Sequence, residues 1–94
     1  MAKLRMHSLE YSTQFKKDFK KIFKRPISDI VEVGRIISML QRDEVLEEKH
    51  VDHSLAGNWQ GFRGCHIKPD LVLVYRVMDG VLQLARIGSH SELF

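Results

Sequence analysis

Hydrophobic and polar positions change period several times along the chain. Residues 3–11, KLRMHSLEY, alternate, with Leu4, Met6, Leu9 and Tyr11 as the apolar positions of an expected strand. Phe15, Phe19, Ile22 and Phe23 then recur at i, i+4, i+7 and i+8, which places them on one stripe of a helix. Ser12 or Thr13 precedes that stripe and supplies the hydroxyl an N-cap needs. Pro26 closes the segment, because the residue before a proline is steered away from helical angles. A second helix is predicted over 28–42, with Ser28 as its cap. Ile30, Val33, Ile37 and Leu40 mark its buried face, flanked by Val31 and Ile36. A short proline-containing turn between two helices predicts an antiparallel αα-hairpin.

Residues 42–59, RDEVLEEKHVDHSLAGNW, keep no period and are expected to form a long connection with one helical turn at most. After them the pattern is that of strands. Residues 61–67 alternate, 71–77 are nearly all apolar, and 81–88 alternate again. Asp79-Gly80 predicts a tight hairpin between the last two, since both residues adopt positive φ readily. Pro69-Asp70 marks a turn between the first two. The run Leu71–Val74 predicts a central strand buried on both faces. The order of elements is β-α-α-β-β-β, an α+β pattern.

Composition narrows the class. Ninety-four residues, 44% hydrophobic and 29% charged, predict one globular domain spanning 1–94. No apolar run nears the roughly 18 to 20 residues of a membrane span, and MAKLRMHSLEYS lacks a signal-peptide core. A cytoplasmic protein is expected. The single cysteine, Cys65, cannot form an internal disulfide, which fits a reducing compartment. A net charge of +3 permits an anionic partner without demanding one. The distribution says more: Lys16, Lys17, Lys20, Lys21, Lys24 and Arg25 crowd the first helix. They read either as a solvated face or as a surface for phosphates.

Chemistry must come from the second half, which holds four of the five histidines. His50, Asp52 and His53 lie in the long connection, Arg63, His66 and Asp70 around the first hairpin, and His90 near the last strand, with Phe94 four residues on. Imidazoles, a carboxylate and a guanidinium together suit phosphodiester cleavage. One group takes a proton from the attacking hydroxyl, a second gives one to the leaving oxygen, and the guanidinium supports charge on the phosphate. In RNA the adjacent 2′-hydroxyl is the attacking group, so neither a metal nor a covalent intermediate is required. Several of these residues also have plainer readings. His50 reads as a solvated loop residue, Trp59 as a lid as readily as a stacking platform, and Arg63 and Arg86 as partners for nearby carboxylates. Cys65 and His66 fall on opposite faces of a strand, so they form no Cys–His nucleophile pair, and Cys65 reads as a small buried hydrophobe. HVDH does not have a diagnostic metal-ligand spacing, and no metal or other cofactor is expected.

Two stretches carry a resemblance over essentially the whole chain: DHSLAGNWQGFRGCHIKPD, of the form DHxLxGxWxGxRxxHxxPD, and the closing GSHSELF. Together with LEYSTQFKKDFKK they make the sequence similar to the YafQ branch of the RelE/ParE superfamily of bacterial toxins. The resemblance implies two N-terminal helices packed on a mostly antiparallel four-stranded sheet. It implies ribosome-dependent, metal-independent cleavage of mRNA, leaving a 2′,3′-cyclic phosphate and a 5′-hydroxyl. It also implies a toxin that is monomeric outside its complex and is restrained by a DinJ- or RelB-type antitoxin. By position it assigns His53, His66, Asp70, His90, Phe94 and Arg63 to the site. His90 is then the expected general acid, and Asp70, His66 or His53 the base, with Arg63 on the phosphate. Lys16, Lys17, Lys20, Lys21 and Lys24 are expected to dock on ribosomal RNA and mRNA. A tryptophan follows the PD pair in the family pattern, whereas this chain has Leu71, so no codon preference carries over. Alternatives are a ParE-like, gyrase-directed toxin and a non-catalytic binding module. Strand alternation raises one conflict: Arg63 and His66 cannot share a face unless Gly61 or Gly64 makes a bulge.

Overall fold

The computed structural model describes residues 6–94. Its elements are β1 (Ser8–Tyr11), α1 (Thr13–Ile22), α2 (Ile27–Gln41), β2 (His53–Ser54), β3 (Arg63–Lys68), β4 (Leu71–Met78), β5 (Val81–Gly88) and α3 (His90–Leu93). Single 3-10 turns occupy Glu48–His50 and Gly57–Trp59. The architecture is α+β, and the sheet has five strands in the order β1-β5-β4-β3-β2. The fifth strand is β2, two residues from the connection that shows no period, paired with Arg63 and Gly64 of β3. So short a strand leaves no alternation to read. Leu4 of the expected first strand lies outside the described residues. Met6 and His7 precede β1, which runs parallel to β5 through Tyr11 and Leu84.

Local chemistry accounts for the helices. The Ser12 hydroxyl accepts from the Phe15 N–H at 2.9 Å, capping α1. The cap expected at Ser28 does not form. Pro26 holds the cap position of α2, which starts at Ile27, and its first turn carries Asp29 instead, a favourable charge at that end. Nor do the helices pack chiefly on one another. The apolar face of α1 lies over β5 and that of α2 over β3. Phe15 and Ile22 therefore join Val33, Ile36 and Leu40 in one core with Cys65, Ile67, Leu71, Leu73, Leu82, Leu84 and Ile87.

As expected, β4 is buried on both sides. Leu71, Leu73 and Tyr75 face the helices, and Val72 and Val74 face a smaller cluster with Leu93, Leu55, Trp59, Phe62 and Ala85. Trp59 is thus a half-buried lid whose ring meets Phe62 edge-on at 5.3 Å. The hairpin between β4 and β5 turns through Asp79 and Gly80 at φ 53° and 75°, the left-handed pair that suits a two-residue loop.

Two bulges interrupt the ladders, at Ala85 of β5 and at Ile67 of β3. Beyond each, the sheet edge has no strand beside it among the described residues, because β1 stops opposite Leu84 and β2 opposite Gly64. A buried polar side chain serves each open edge. Asp18 of α1 accepts from the Ile87 N–H at 3.1 Å, and the His50 imidazole lies 2.7 Å from the His66 carbonyl.

Candidate active site

On the face of the sheet away from the helices, His53, His66 and His90 line one cavity of about 230 Å³ with Phe94. Leu55, Gly64 and Val72 complete its wall. Each imidazole arrives from a different element. His53 opens β2, and its Nδ1 lies 2.7 Å from the Val51 carbonyl, which makes Nδ1 the donor. Val51 sits at φ 46°, a left-handed conformation that a β-branched residue rarely takes. That reversal swings the chain out of the 3-10 turn and into β2. His66 stands on β3 opposite Val72. Gly64 faces the same side, and a Cβ there would meet Leu55 Cδ2 at 3.1 Å, so glycine keeps the wall open.

His90 begins α3, whose single turn is held by a capping box. The Ser89 hydroxyl accepts from the Glu92 N–H, and the Glu92 carboxylate accepts from the Ser89 N–H at 2.9 Å. The Ser89 N–H and the Ser89 hydroxyl, which donates to the same carboxylate oxygen at 2.9 Å, keep the Glu92 carboxyl below its ordinary range. Leu93 anchors the turn in the smaller apolar cluster. The His90 and Phe94 rings, one helical turn apart, meet at 5.0 Å with their planes tilted by 39°.

The remaining sequence candidates lie elsewhere. Arg63 points to the opposite face, because the β3 bulge falls after His66 and leaves the alternation from Arg63 to His66 intact. Its Nε donates to Asp52 at 3.2 Å and its Nη1 to Ser54 at 3.1 Å, while the Tyr75 hydroxyl donates to the same carboxylate at 2.7 Å. Burial and the Asp52 charge push the Tyr75 hydroxyl's pKa up. Asp70 sits exposed in the turn after β3, its carboxylate 2.8 Å from the Arg25 guanidinium, which holds it below the usual carboxylate range. It does not line the imidazole cavity. His50 is buried, not solvated. Burial pushes the Cys65 thiol up to about 12, an inert group. Lys16, Lys17, Lys20, Lys21 and Lys24 are all exposed along α1.

Two contributors escaped the sequence reading. Asp18 sits at i+3 from Phe15 on the apolar stripe, a helical phase that marks it as inward-facing. The Ser89-x-x-Glu92 spacing is a legible capping box. Among the described residues, no group of three or more His, Cys, Asp or Glu side chains is arranged to hold a metal ion.

Three imidazoles of separate origin around a ring-walled cavity can shuttle protons on both sides of a bond while an aromatic face stacks on a planar group. Two helices over a five-stranded sheet is the architecture of small RelE-like toxins. The family model for the bacterial toxin of type II toxin–antitoxin systems, YafQ, matches residues 7–94, and the chain belongs to that family. It is 36% identical over 87 residues to the mRNA interferase toxin YafQ of Escherichia coli K12, covering 92% of this chain and 94% of that one. A copper-bound variant toxin from Helicobacter pylori superposes with a TM-score of 0.87 at 45% identity, over 95% of this chain and 100% of the other. YafQ in the E. coli DinJ–YafQ toxin–antitoxin complex gives 0.83 at 34%, over 95% and 98%.

Proposed function

We propose that this toxin cuts mRNA on the translating ribosome by metal-independent acid–base catalysis, in the cytoplasm, until an antitoxin of the DinJ or RelB type covers it. The observation that carries the reading is the convergence of His53, His66 and His90 with Phe94 on one cavity. In the step, the 2′-oxygen forms a bond to phosphorus as its proton passes to an imidazole. The bond from phosphorus to the 5′-oxygen breaks as a second imidazole protonates that oxygen. His90 is the acid, standing at the exposed start of α3. His66 or His53 is the base, a role the Arg25-bound carboxylate of Asp70 suits less well. With Arg63 turned away, a protonated imidazole rather than a guanidinium supports the phosphate charge at the cavity. Phe94, half exposed beside His90, offers a face for a base. The lysines of α1 supply attraction to rRNA and mRNA phosphates. The free toxin acts as a monomer.

The test is purified toxin, treated beforehand with a chelator of transition metals that spares magnesium, on translating ribosomes, scored for new mRNA ends bearing a cyclic phosphate and a 5′-hydroxyl. His90→Ala should lower the cleavage rate by roughly 10²- to 10⁴-fold, the span of one acid–base group, with folding and antitoxin binding retained. Cleavage by that variant near the wild-type rate would overturn the assignment. Intact mRNA with the wild-type toxin would point instead to gyrase or to a non-catalytic binding role, and loss of activity after the chelator treatment, restored by adding a transition metal back, would point to a metal enzyme.

A further inference from the structure

His50 is buried to 3% exposure, and its Nδ1 lies 2.7 Å from the His66 carbonyl. A carbonyl only accepts, so Nδ1 carries the proton. Among the described residues its Nε2 is enclosed without a hydrogen-bond partner, and a proton there would be a buried donor with no acceptor among them. The imidazole is therefore the neutral Nδ1–H tautomer, used as a fixed donor.

The place it acts matters. Pairing of β3 with β4 slips between His66 and Lys68, so the backbone at His66 is the last regular position before the bulge. On the other side β2 has already ended at Gly64. The His66 ring has little hold of its own, with Nδ1 3.4 Å from the Pro69 carbonyl, at the limit of a hydrogen bond. Its direction follows from its backbone. His50 is itself fixed by the 3-10 turn, its N–H donating to Glu47 at 3.0 Å.

We infer that His50 is a positioning residue for His66: its Nδ1–H pins the His66 carbonyl at the β3 bulge and so aims the second imidazole into the cavity. This rests on the reading that His66 takes part in cleavage. The same turn, continuing through Val51, also orients His53, so residues 48–53 set two of the three imidazoles at once.

Two substitutions separate donor from bulk. His50→Phe keeps a ring and removes the donor. His50→Asn places an amide N–H close to where Nδ1 stood. His50→Phe should lower kcat by roughly 10- to 100-fold, the effect of a misplaced catalytic group, leave KM nearly unchanged and move the His66 ring resonances. His50→Asn should restore kcat to within a few-fold. In wild-type long-range ¹H–¹⁵N spectra, His50 should appear as the Nδ1–H tautomer with a slowly exchanging proton, a measurement that needs no variant to fold. An Nε2–H tautomer, or His50→Phe with wild-type kcat and unmoved His66 resonances, overturns the inference. His66→Ala distinguishes the two levels: if it cleaves like wild type, the catalytic reading of His66 falls, while tautomer and resonances still judge the positioning.

Discussion

Replacing Asp18 with alanine removes a carboxylate that ties α1 to β5. Its oxygens accept from Arg86 Nε at 2.7 Å and Nη2 at 3.2 Å, from the Ile87 N–H at 3.1 Å and from Gln14 at 3.0 Å. The substitution strands the guanidinium and leaves a sheet-edge N–H unpaired. Breaking a buried pair costs about 3 to 5 kcal/mol. Arg86 keeps 24% of its side chain in water, which softens the loss to about 3 kcal/mol. For a chain this size that lowers the melting temperature by roughly 10 to 20 °C. Asp18→Asn keeps the shape and an acceptor, and should lose about half as much.

Burial alone would raise the Asp18 pKa, but the hydrogen bonds from Arg86, Gln14 and Ile87 more than offset it, and the carboxyl titrates below its ordinary value. The folded pKa being depressed, the stabilisation is complete above the unfolded value of about 3.9 and is lost as pH falls toward the folded one. Urea unfolding followed by circular dichroism should therefore show a gap between wild type and Asp18→Asn that is widest near neutrality and narrows below about pH 4. An Asp18→Ala variant within about 0.5 kcal/mol of wild type, the range of an ordinary surface substitution, would refute the reasoning. So would an Asp18→Asn gap of the same size at neutral and at acid pH.

Changing Lys16, Lys17 and Lys20 to glutamine should lower the slope of log affinity for ribosomes against log salt by about 2, at roughly 0.7 per contact with single-stranded phosphates; an unchanged slope would make this helix face merely solvated. Gly64→Ala drives a methyl toward Leu55 and should cost about 1 kcal/mol while cutting mRNA cleavage more deeply, since the cavity wall moves inward; equal cleavage with a measured loss of stability would detach that wall from the site. Cys65 should resist a thiol reagent at pH 8 until denaturant is added, because burial raises its pKa to about 12; rapid labelling of the folded chain would contradict the packing around β3. The pH–rate profile of Asp70→Asn should keep the wild-type limbs, as Arg25 holds that carboxylate ionised across the working range; loss of a limb would return Asp70 to the base role.

What the sequence made legible was local. The stripe Phe15–Ile22, the Asp79-Gly80 turn and the two-sided burial of Leu71–Val74 each depend on neighbours within one element, so a periodic reading suffices. The illegible parts depend on pairs distant along the chain. Nothing in His53-Ser54 announces a strand, because its partners are Arg63 and Gly64. Nothing near Asp70 names Arg25, and nothing near Asp18 names Arg86. Alternation did expose the conflict between Arg63 and His66, and the bulge at Ile67 comes too late in β3 to relieve it. The imidazoles of the site were visible as residue types. Their meeting on one cavity is a property of sheet order, which no spacing records, although the family's motifs carry it implicitly.

The parallel pairing of β1 with β5 bears on when the toxin comes into being. Ser8–Tyr11 are synthesised 73 residues ahead of their partners, Val81–Leu84. Domains usually form as the chain emerges, but this edge must wait until β5 has followed, and pairing at such separation is slow to close. His90 and Phe94 emerge later still. A ribosome making this protein thus presents the basic helix α1 well before the imidazole cavity, which closes only once His90 and Phe94 have followed β5.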